Sequence, residues 1–552
     1  MRLPSPRGSL LPGLLLVLSA APTARAVQGA PTAEVVERRL ANGVRVLAVE
    51  RPSGGAVHAK LFVRLGGLPP AVSRLLAASL FGTCPPGDLG PEDPALESLL
   101  AREEGLHEEL RLQRLKAGRG AAAAPAELAE AHRAALEALE GRTARGLDAV
   151  EALGASARVA QAGPDHLLYG LDLPRQGLPA WCALEASRLA KVRLSALPAL
   201  RAAAVAEADR GGDPARAAFL GVAFPGHPYG QAGAVPASAL DAVGLEEARA
   251  FARRALHPEN LLLVLVGDVG LDGLMPDLQA TFGALASEAR APLPEVLGPE
   301  LTPGARRLQL TLPGPPRLLM GWRMPPRSHP DTLGLRVLAR LLAGGPSGRF
   351  RALPLEERGI LASLHLSLGE PGARDGGLLL AEASPAEGHS LAEAEQALTS
   401  EVLRIQQEPI QEEEALGAQR LLLLDALVAQ EDAARFAEVL GEAWSQAGAW
   451  PSALLDPARL KPWGPEELRR VARAYLSPER SVVAHVEPDV LDSEEDPLDL
   501  RLQEAIRAMA RQKVEDPAAV DALVRQTIRQ LRMLPRAERE SALELLRPKE
   551  RP

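Results

Sequence analysis

The sequence predicts an α+β fold built twice over, and three observations carry that reading. They are a gapless internal repeat, an early β-hairpin signature, and strands set beside amphipathic helices without strict βαβ alternation. At 552 residues the chain exceeds what one ordinary core fills, so two or more domains are expected. Hydrophobic residues at 46% and charged residues at 24% place it among globular proteins. Aromatics are only 3%, so Leu, Val and Ala must build the core. The formal net charge of -9 argues against nucleic acid as a partner, because that needs a basic face.

The repeat aligns Gly244-Leu-Glu-Glu-Ala-Arg-Ala-Phe-Ala-Arg-Arg-Ala-Leu-His-Pro-Glu259 with Gly464-Pro-Glu-Glu-Leu-Arg-Arg-Val-Ala-Arg-Ala-Tyr-Leu-Ser-Pro-Glu479. Each copy reads as an amphipathic helix closed by Pro and followed by an apolar strand, Leu261–Val269 and Ser481–Pro488. A helix-then-strand unit ending both halves implies two domains of one fold.

The first half opens on Val35–Leu40 and Val44–Val49, alternating around Asn42-Gly43, a dipeptide that accepts positive φ at both turn positions. A third strand, Val57–Leu65, ends at Gly66-Gly67, and a short helix is expected from about Ser73 to Phe81. Residues 88–141 read as a helical insertion, broken at Lys116-Ala-Gly-Arg-Gly120 into two antiparallel helices. The Pro-rich stretch at 290–304 reads as a linker. The expected layout is therefore 27–289, linker 290–304, 305–490, and a helical tail 491–552 with apolar stripes at Leu500, Leu502, Ile506, Met509, Leu523, Ile528 and Leu531.

Residues 1–26 have the form of a secretory signal: Arg2 and Arg7, the apolar run Leu10–Ala21, then Ala24-Arg25-Ala26. A periplasmic or secreted protein is expected, with retention of the segment as an anchor the alternative. No later stretch has the roughly 20 apolar residues of a membrane helix. Cys84 and Cys182 either pair or remain thiols.

The order of motifs resembles the pitrilysin/insulinase zinc-peptidase family, which includes the mitochondrial processing peptidases. Leu40-Ala-Asn42-Gly43 matches its opening L-x-N-G turn, and Asp165-His-Leu-Leu-Tyr169 its D-x-T-x-Y strand with the Thr replaced. Leu189-Ala-Lys-Val-Arg-Leu resembles the segment before the family's third metal ligand, and His227-Pro228-Tyr229-Gly230 its H-P-Y-G motif. His257-Pro-Glu-Asn260 through Gly267-Asp268-Val269 matches Y-x-P-x-N…V-G-D with the Tyr replaced, and Gly344-Gly-Pro-Ser347-Gly-Arg349-Phe350 the G-G-x-x-S-x-R-L/F turn. The resemblance implies two homologous metallopeptidase-like α/β sandwich domains, helices on a mostly antiparallel sheet, with His227 and Tyr229 structural.

The family's H-x-x-E-H helix sets two imidazoles four residues apart on one face around Zn²⁺, with the Glu as general base and a distal Glu as third ligand. The matching stretch here is Ser73-Arg74-Leu-Leu-Ala77-Ala78-Ser-Leu-Phe81-Gly82-Thr83: Arg74 and Ala78 stand at the His positions and Ala77 at the Glu. Glu207 matches the distal ligand alone. An Arg74–Glu207 ion pair in place of the metal is one expectation. His107 and His132, in the insertion, lack a second His at i+4 and read as solvent-facing helix surface.

The resemblance thus implies a chain without catalytic residues, metal or cofactor, acting as the non-catalytic subunit or peptide-binding partner of an exported zinc-bearing family member. Arg349 matches the family's substrate-binding Arg, although Gly359-Ile-Leu-Ala362 lacks the expected Tyr. Two other readings stand beside it: an active zinc endopeptidase with different ligands, and a stand-alone envelope scaffold. The first is disfavoured because neither H-x-x-E-H nor H-E-x-x-H occurs in the chain.

Overall fold

The Asn42-Gly43 turn takes the shape its dipeptide requires. Gly43 has φ +104°, Leu40 N donates to Val44 O at 2.9 Å, and Gly43 N donates to Leu40 O at 3.0 Å. The Asn42 amide also donates to the carbonyls of Phe282 (2.8 Å) and Leu285 (3.1 Å), tying the turn to distant chain. Strands β1 (Val36–Arg39) and β2 (Arg45–Glu50) pair antiparallel across it. The computed structural model describes residues 34–511 apart from 66–68, 83–92, 118–124, 144–147, 209–211, 287–304, 345–347, 352–358 and 490–496, with single positions beyond 511. The expected signal, the linker at 290–304 and Cys84 lie outside the described residues.

Strands β3 (Ala56–Arg64), β4 (Ala157–Ala162), β5 (His166–Pro174) and β6 (Leu261–Gly267) complete a six-stranded sheet ordered β1-β2-β6-β3-β5-β4. A second sheet, of β7 (Arg306–Leu312), β8 (Arg317–Arg323), β9 (Leu361–Glu370), β10 (Leu378–Pro385) and β11 (Ser481–Pro488), is ordered β7-β11-β8-β10-β9. Without β1 the two orders coincide strand for strand. Each sheet is antiparallel except at one corresponding pair, β2 with β6 and β7 with β11.

The principal helices of the first half are α1 (Pro70–Ala77), α2 (Pro94–Ala117), α3 (Ala126–Thr143), α4 (Leu178–Ala190), α5 (Leu197–Ala208), α6 (Pro214–Ala223) and α7 (Leu245–Ala255). Those of the second are α8 (Thr332–Ala343), α9 (Leu391–Gln407), α10 (Glu412–Glu431), α11 (Ala433–Ala447) and α12 (Pro465–Tyr475), and α13 (Pro497–Ala510) belongs to the tail. Helix α1 starts at Pro70, earlier than the periodicity suggests, because a proline in the first turn lacks only an N–H that would be unpaired anyway. The two copies of the sequence repeat form one unit each: α7, a 3₁₀ turn at Pro258–Asn260 and β6; then α12, a 3₁₀ turn at Pro478–Arg480 and β11.

Each half lends a helix to the other's sheet. Helix α11 lies on β3 and β6 of the first sheet, close enough that a Cβ at Gly441 would stand 2.0 Å from the Phe62 ring. Arg64 Nε donates to Ser445 O (3.2 Å), Arg51 donates to Gln430 O, and its guanidinium sits 5.2 Å over the Phe436 ring. In return α6 covers β7, β8 and β11, packing Phe219 and Leu220 against Leu319, Leu380 and Ala484. Asp213 caps α6 through Arg216 N (3.1 Å) and takes a two-pronged contact from Arg317 of β8 at 2.7 and 3.0 Å. This exchange explains why β6 is buried from end to end, both faces being covered, and so reads as an unbroken apolar run. In the tail Leu502, Ile506 and Ile528 bury into a cluster of the tail's own residues, whereas Met509 and Leu523 are exposed.

Candidate functional site

Helix α1 widens after Ala77 into a π turn over Ala78–Gly82, a distortion that recurs at functional sites. Its residues Arg74, Ala77 and Ala78 line one wall of a cavity of about 660 Å³. Arg74 Nη2 stands 2.7 Å from Glu207 Oε2 of α5, and the two side chains are 40% and 67% exposed. Strand β4, at the end of the first sheet and paired among the described residues with β5, forms the second wall through Ala160, Gln161 and Ala162. His166 of β5 and Glu442 of α11 complete the lining. Burial holds the His166 imidazole below its usual range, and its Nδ1 is buried with no hydrogen-bond partner among the described residues. The sequence reading missed both residues. His166 lies inside the quoted Asp165–Tyr169 stretch, but Glu442 reaches the site from the second half and left no local signal.

The side chains at the matched positions do not fit a zinc ion. Of these only Glu207 offers a zinc donor, and its carboxylate already holds the Arg74 guanidinium, whose positive charge opposes a dication there. His166 and Glu442 do not close a three-donor set there; among the described residues such a set occurs elsewhere, in the insertion.

The H-P-Y-G motif fastens the two halves together. His227 Nδ1 accepts from Tyr229 N (3.1 Å), which leaves Nε2 carrying the proton, 3.6 Å from Asp375 Oδ2. Tyr229 donates its hydroxyl to Asp165, whose other oxygen accepts from Ala373 N at 2.8 Å and Arg374 N at 3.3 Å. The Tyr229 hydroxyl in turn accepts from Asp375 N at 3.3 Å. Burial and the Asp165 charge push the Tyr229 phenol far above its usual range, so it stays a donor. Arg349 does not line the cavity. Its fork grips Glu414 of α10 at 3.0 and 2.7 Å, and Nη1 is buried without an acceptor among the described residues.

The insertion departs from the sequence reading. His107 is only 7% exposed and Glu103 fully buried, because α2 packs on α3 on one side and meets α5 and Asp241 on another. The solvent-facing expectation for His107 and His132 is therefore corrected: this charged helix face packs against α3, α5 and Asp241 instead of water. Arg201 of α5, itself 1% exposed, donates to both Glu103 oxygens (3.0 and 3.2 Å), to Glu104 (3.1 Å) and to the Val243 carbonyl (2.8 Å). Burial alone would raise the Glu103 carboxyl; the hydrogen bond from His132 and the Arg201 charge outweigh it and hold the group below its usual range. Cys182, on α4, is a buried free thiol pushed up to about 12 by desolvation.

The profile of the family described as the peptidase M16 inactive domain matches residues 242–422. An uncharacterized zinc protease of Mycobacterium bovis is 28% identical over 152 residues, and one of Mycobacterium leprae 28% over 157. Each match covers 27% of this chain and about a third of the relative (35% and 34%). Among solved structures, a protease from Helicobacter pylori superposes with a TM-score of 0.64 at 15% identity, covering 83% of this chain and 100% of that one. A peptidase M16 inactive domain from Pseudomonas fluorescens gives 0.61 at 17%, covering 83% and 98%. The periplasmic protease PqqL from Escherichia coli gives 0.57 at 15%, covering 90% of this chain and half (50%) of that one. At such identities the superpositions speak for the fold. With the ordered motifs and the doubled strand order, the matched profile and the zinc-protease relatives mark this chain as similar to the pitrilysin/insulinase-like M16 peptidase family.

Proposed function

We propose that this chain is an exported, non-catalytic member of its family that binds extended peptide and works beside a zinc-bearing relative. The observation that carries the reading is the Arg74–Glu207 ion pair, at positions that match the family's metal ligands by motif order, in a cavity lined by β4, the end strand of its sheet among the described residues. Arg74, Ala77 and Ala78 supply neither the imidazole ligands nor the general base with which the family's zinc helix activates water. What remains is recognition. An extended peptide can add to β4 through backbone hydrogen bonds, with the Arg74 guanidinium available to its carbonyl or carboxylate groups. Arg349, matched to the family's substrate-binding Arg, is the second proposed contact to peptide, one that requires it to leave its pair with Glu414. Residues 1–26 serve as the export signal, and 27–289 and 305–490 as the two lobes.

Fluorescence anisotropy with labelled, unstructured peptides, alongside a cleavage assay, tests this. The chain alone should bind peptide without cutting it, and Ala162→Trp, which fills the cavity beside β4, should weaken binding at least about tenfold. Cleavage abolished by a chelator would establish the zinc-endopeptidase reading instead. Absence of peptide binding, together with failure to co-elute with a co-expressed zinc-bearing relative, would leave the scaffold reading.

A further inference from the structure

The helical insertion brings together a donor set that its sequence keeps apart. Glu103 and His107 lie one turn apart on α2, and His132 reaches them from α3. One ligand atom from each of the three falls within 4.8 Å of the others, and His132 Nε2 is 3.0 Å from Glu103 Oε1. Two ligands bound tetrahedrally to zinc at about 2.0–2.1 Å stand roughly 3.3 Å apart, so that pair already has the spacing of a coordination edge. The remaining gap is within the reach of small side-chain rotations.

The groups behind these donors are those a metal centre requires. A ligating imidazole is oriented by giving its other N–H to a carbonyl or carboxylate, and ligating carboxylates are themselves hydrogen-bonded. His107 Nε2 lies 2.8 Å from the Asp241 carbonyl, which fixes the tautomer and leaves the Nδ1 lone pair free to coordinate. Glu103 is held by Arg201 at 3.0 and 3.2 Å. If Oε1 turns to a metal, Oε2 retains the guanidinium as an outer partner, and Arg201 keeps Glu104 and the Val243 carbonyl. The local charge is negative: carboxylates of Glu103, Glu104, Glu108 and Asp241 outnumber the guanidinium groups of the buried Arg201, Arg111 on Glu108, and the exposed Arg114, 4.0 Å from Asp241. Glu104 and His132 are the members open to solvent, at 29% and 14% side-chain exposure, and give an ion its way in.

The geometry points to a structural binding site for a divalent transition ion of the zinc class, held by Glu103, His107 and His132 and clamping α2 to α3. Two imidazoles and one carboxylate are donors that suit zinc over calcium or magnesium, which want oxygen alone. The site is separate from the Arg74–Glu207 cavity and stands or falls independently of peptide binding there.

The test uses the full chain, stripped with EDTA, and zinc chloride as titrant in isothermal calorimetry. One zinc per chain is expected, with His107→Gln and His132→Gln each weakening it at least about tenfold and Glu207→Gln leaving it unchanged. Cobalt(II) should give the visible bands of a nitrogen- and oxygen-ligated centre, lost in both His variants. Should either variant fail to fold by circular dichroism, the wild-type thermal midpoint decides: zinc must raise it by several degrees over EDTA. No zinc uptake by the wild type, uptake that both His variants retain, or a midpoint indifferent to zinc overturns the proposal.

Discussion

Helix α5 carries Arg201, which meets Glu103, and six residues on it carries Glu207, which meets Arg74. The first pair is sealed, with both side chains 1% exposed; the second is open, at 40% and 67%. Chemically they are the same contact at nearly the same distance. Physically they differ, because water screens the open pair and its formation immobilises two long side chains, whereas the sealed pair has exchanged hydration for fixed partners. One helix thus has an architectural ion pair that the insertion depends on and an accessible one that a ligand can rearrange. An Arg–Glu distance alone would not have told them apart.

That contrast breaks first at Arg201. Replacing it by Met strands the Glu103 carboxylate in the interior and should cost on the order of 3–5 kcal/mol in chemical denaturation. Pairing Arg201→Met with Glu103→Leu should recover much of the loss. A single-variant cost under about 1 kcal/mol would place the sealed pair in the same class as the open one.

An intermediate case sharpens the contrast through pH. The Arg317 guanidinium, acting before the opposing effect of burial and the further help of the Arg216 amide, holds the Asp213 carboxyl below its ordinary 3.8. A depressed carboxyl contributes stability that is complete above the unfolded value and is lost as pH falls through the folded one. The thermal midpoint should therefore hold above about pH 5 and lose this contribution progressively below about pH 4, with Asp213→Asn giving a flatter acid limb. An unchanged limb in that variant would remove Asp213 as a joint between the halves.

The smallest effect belongs to the open pair. Arg74→Ala should change stability by less than about 1 kcal/mol while lowering peptide affinity. A large stability loss with peptide affinity intact would show that Arg74 is architectural after all.

Where the physics is local, the sequence was legible. Asn42-Gly43 fixes a turn through backbone preference, and the Gly244 and Gly464 repeats each hold a complete helix, cap and strand in one stretch. Arg74, Ala77, Ala78 and Glu207 could be placed by motif order, and the fold brings Arg74 to Glu207. Where a contact spans the chain, the sequence was silent. Glu103 looks like any helix-surface acid until Arg201 arrives from 98 positions later, and Glu442 enters the cavity on a helix of the opposite half. Gly441 illustrates the same limit: mid-helix glycine reads as a weak spot, and only the Phe62 ring explains it.

The exchange of α6 and α11 bears on how the protein can be made. The first sheet has all its strands by Gly267, yet one of its faces waits for Ala433–Ala447 to leave the ribosome. In the interval, apolar side chains such as Phe62 are bare, a condition that invites aggregation and chaperone capture. The halves should accordingly mature together: neither would persist alone after chain cleavage between them, yet the two fragments mixed should reassemble, each supplying the cover the other lacks.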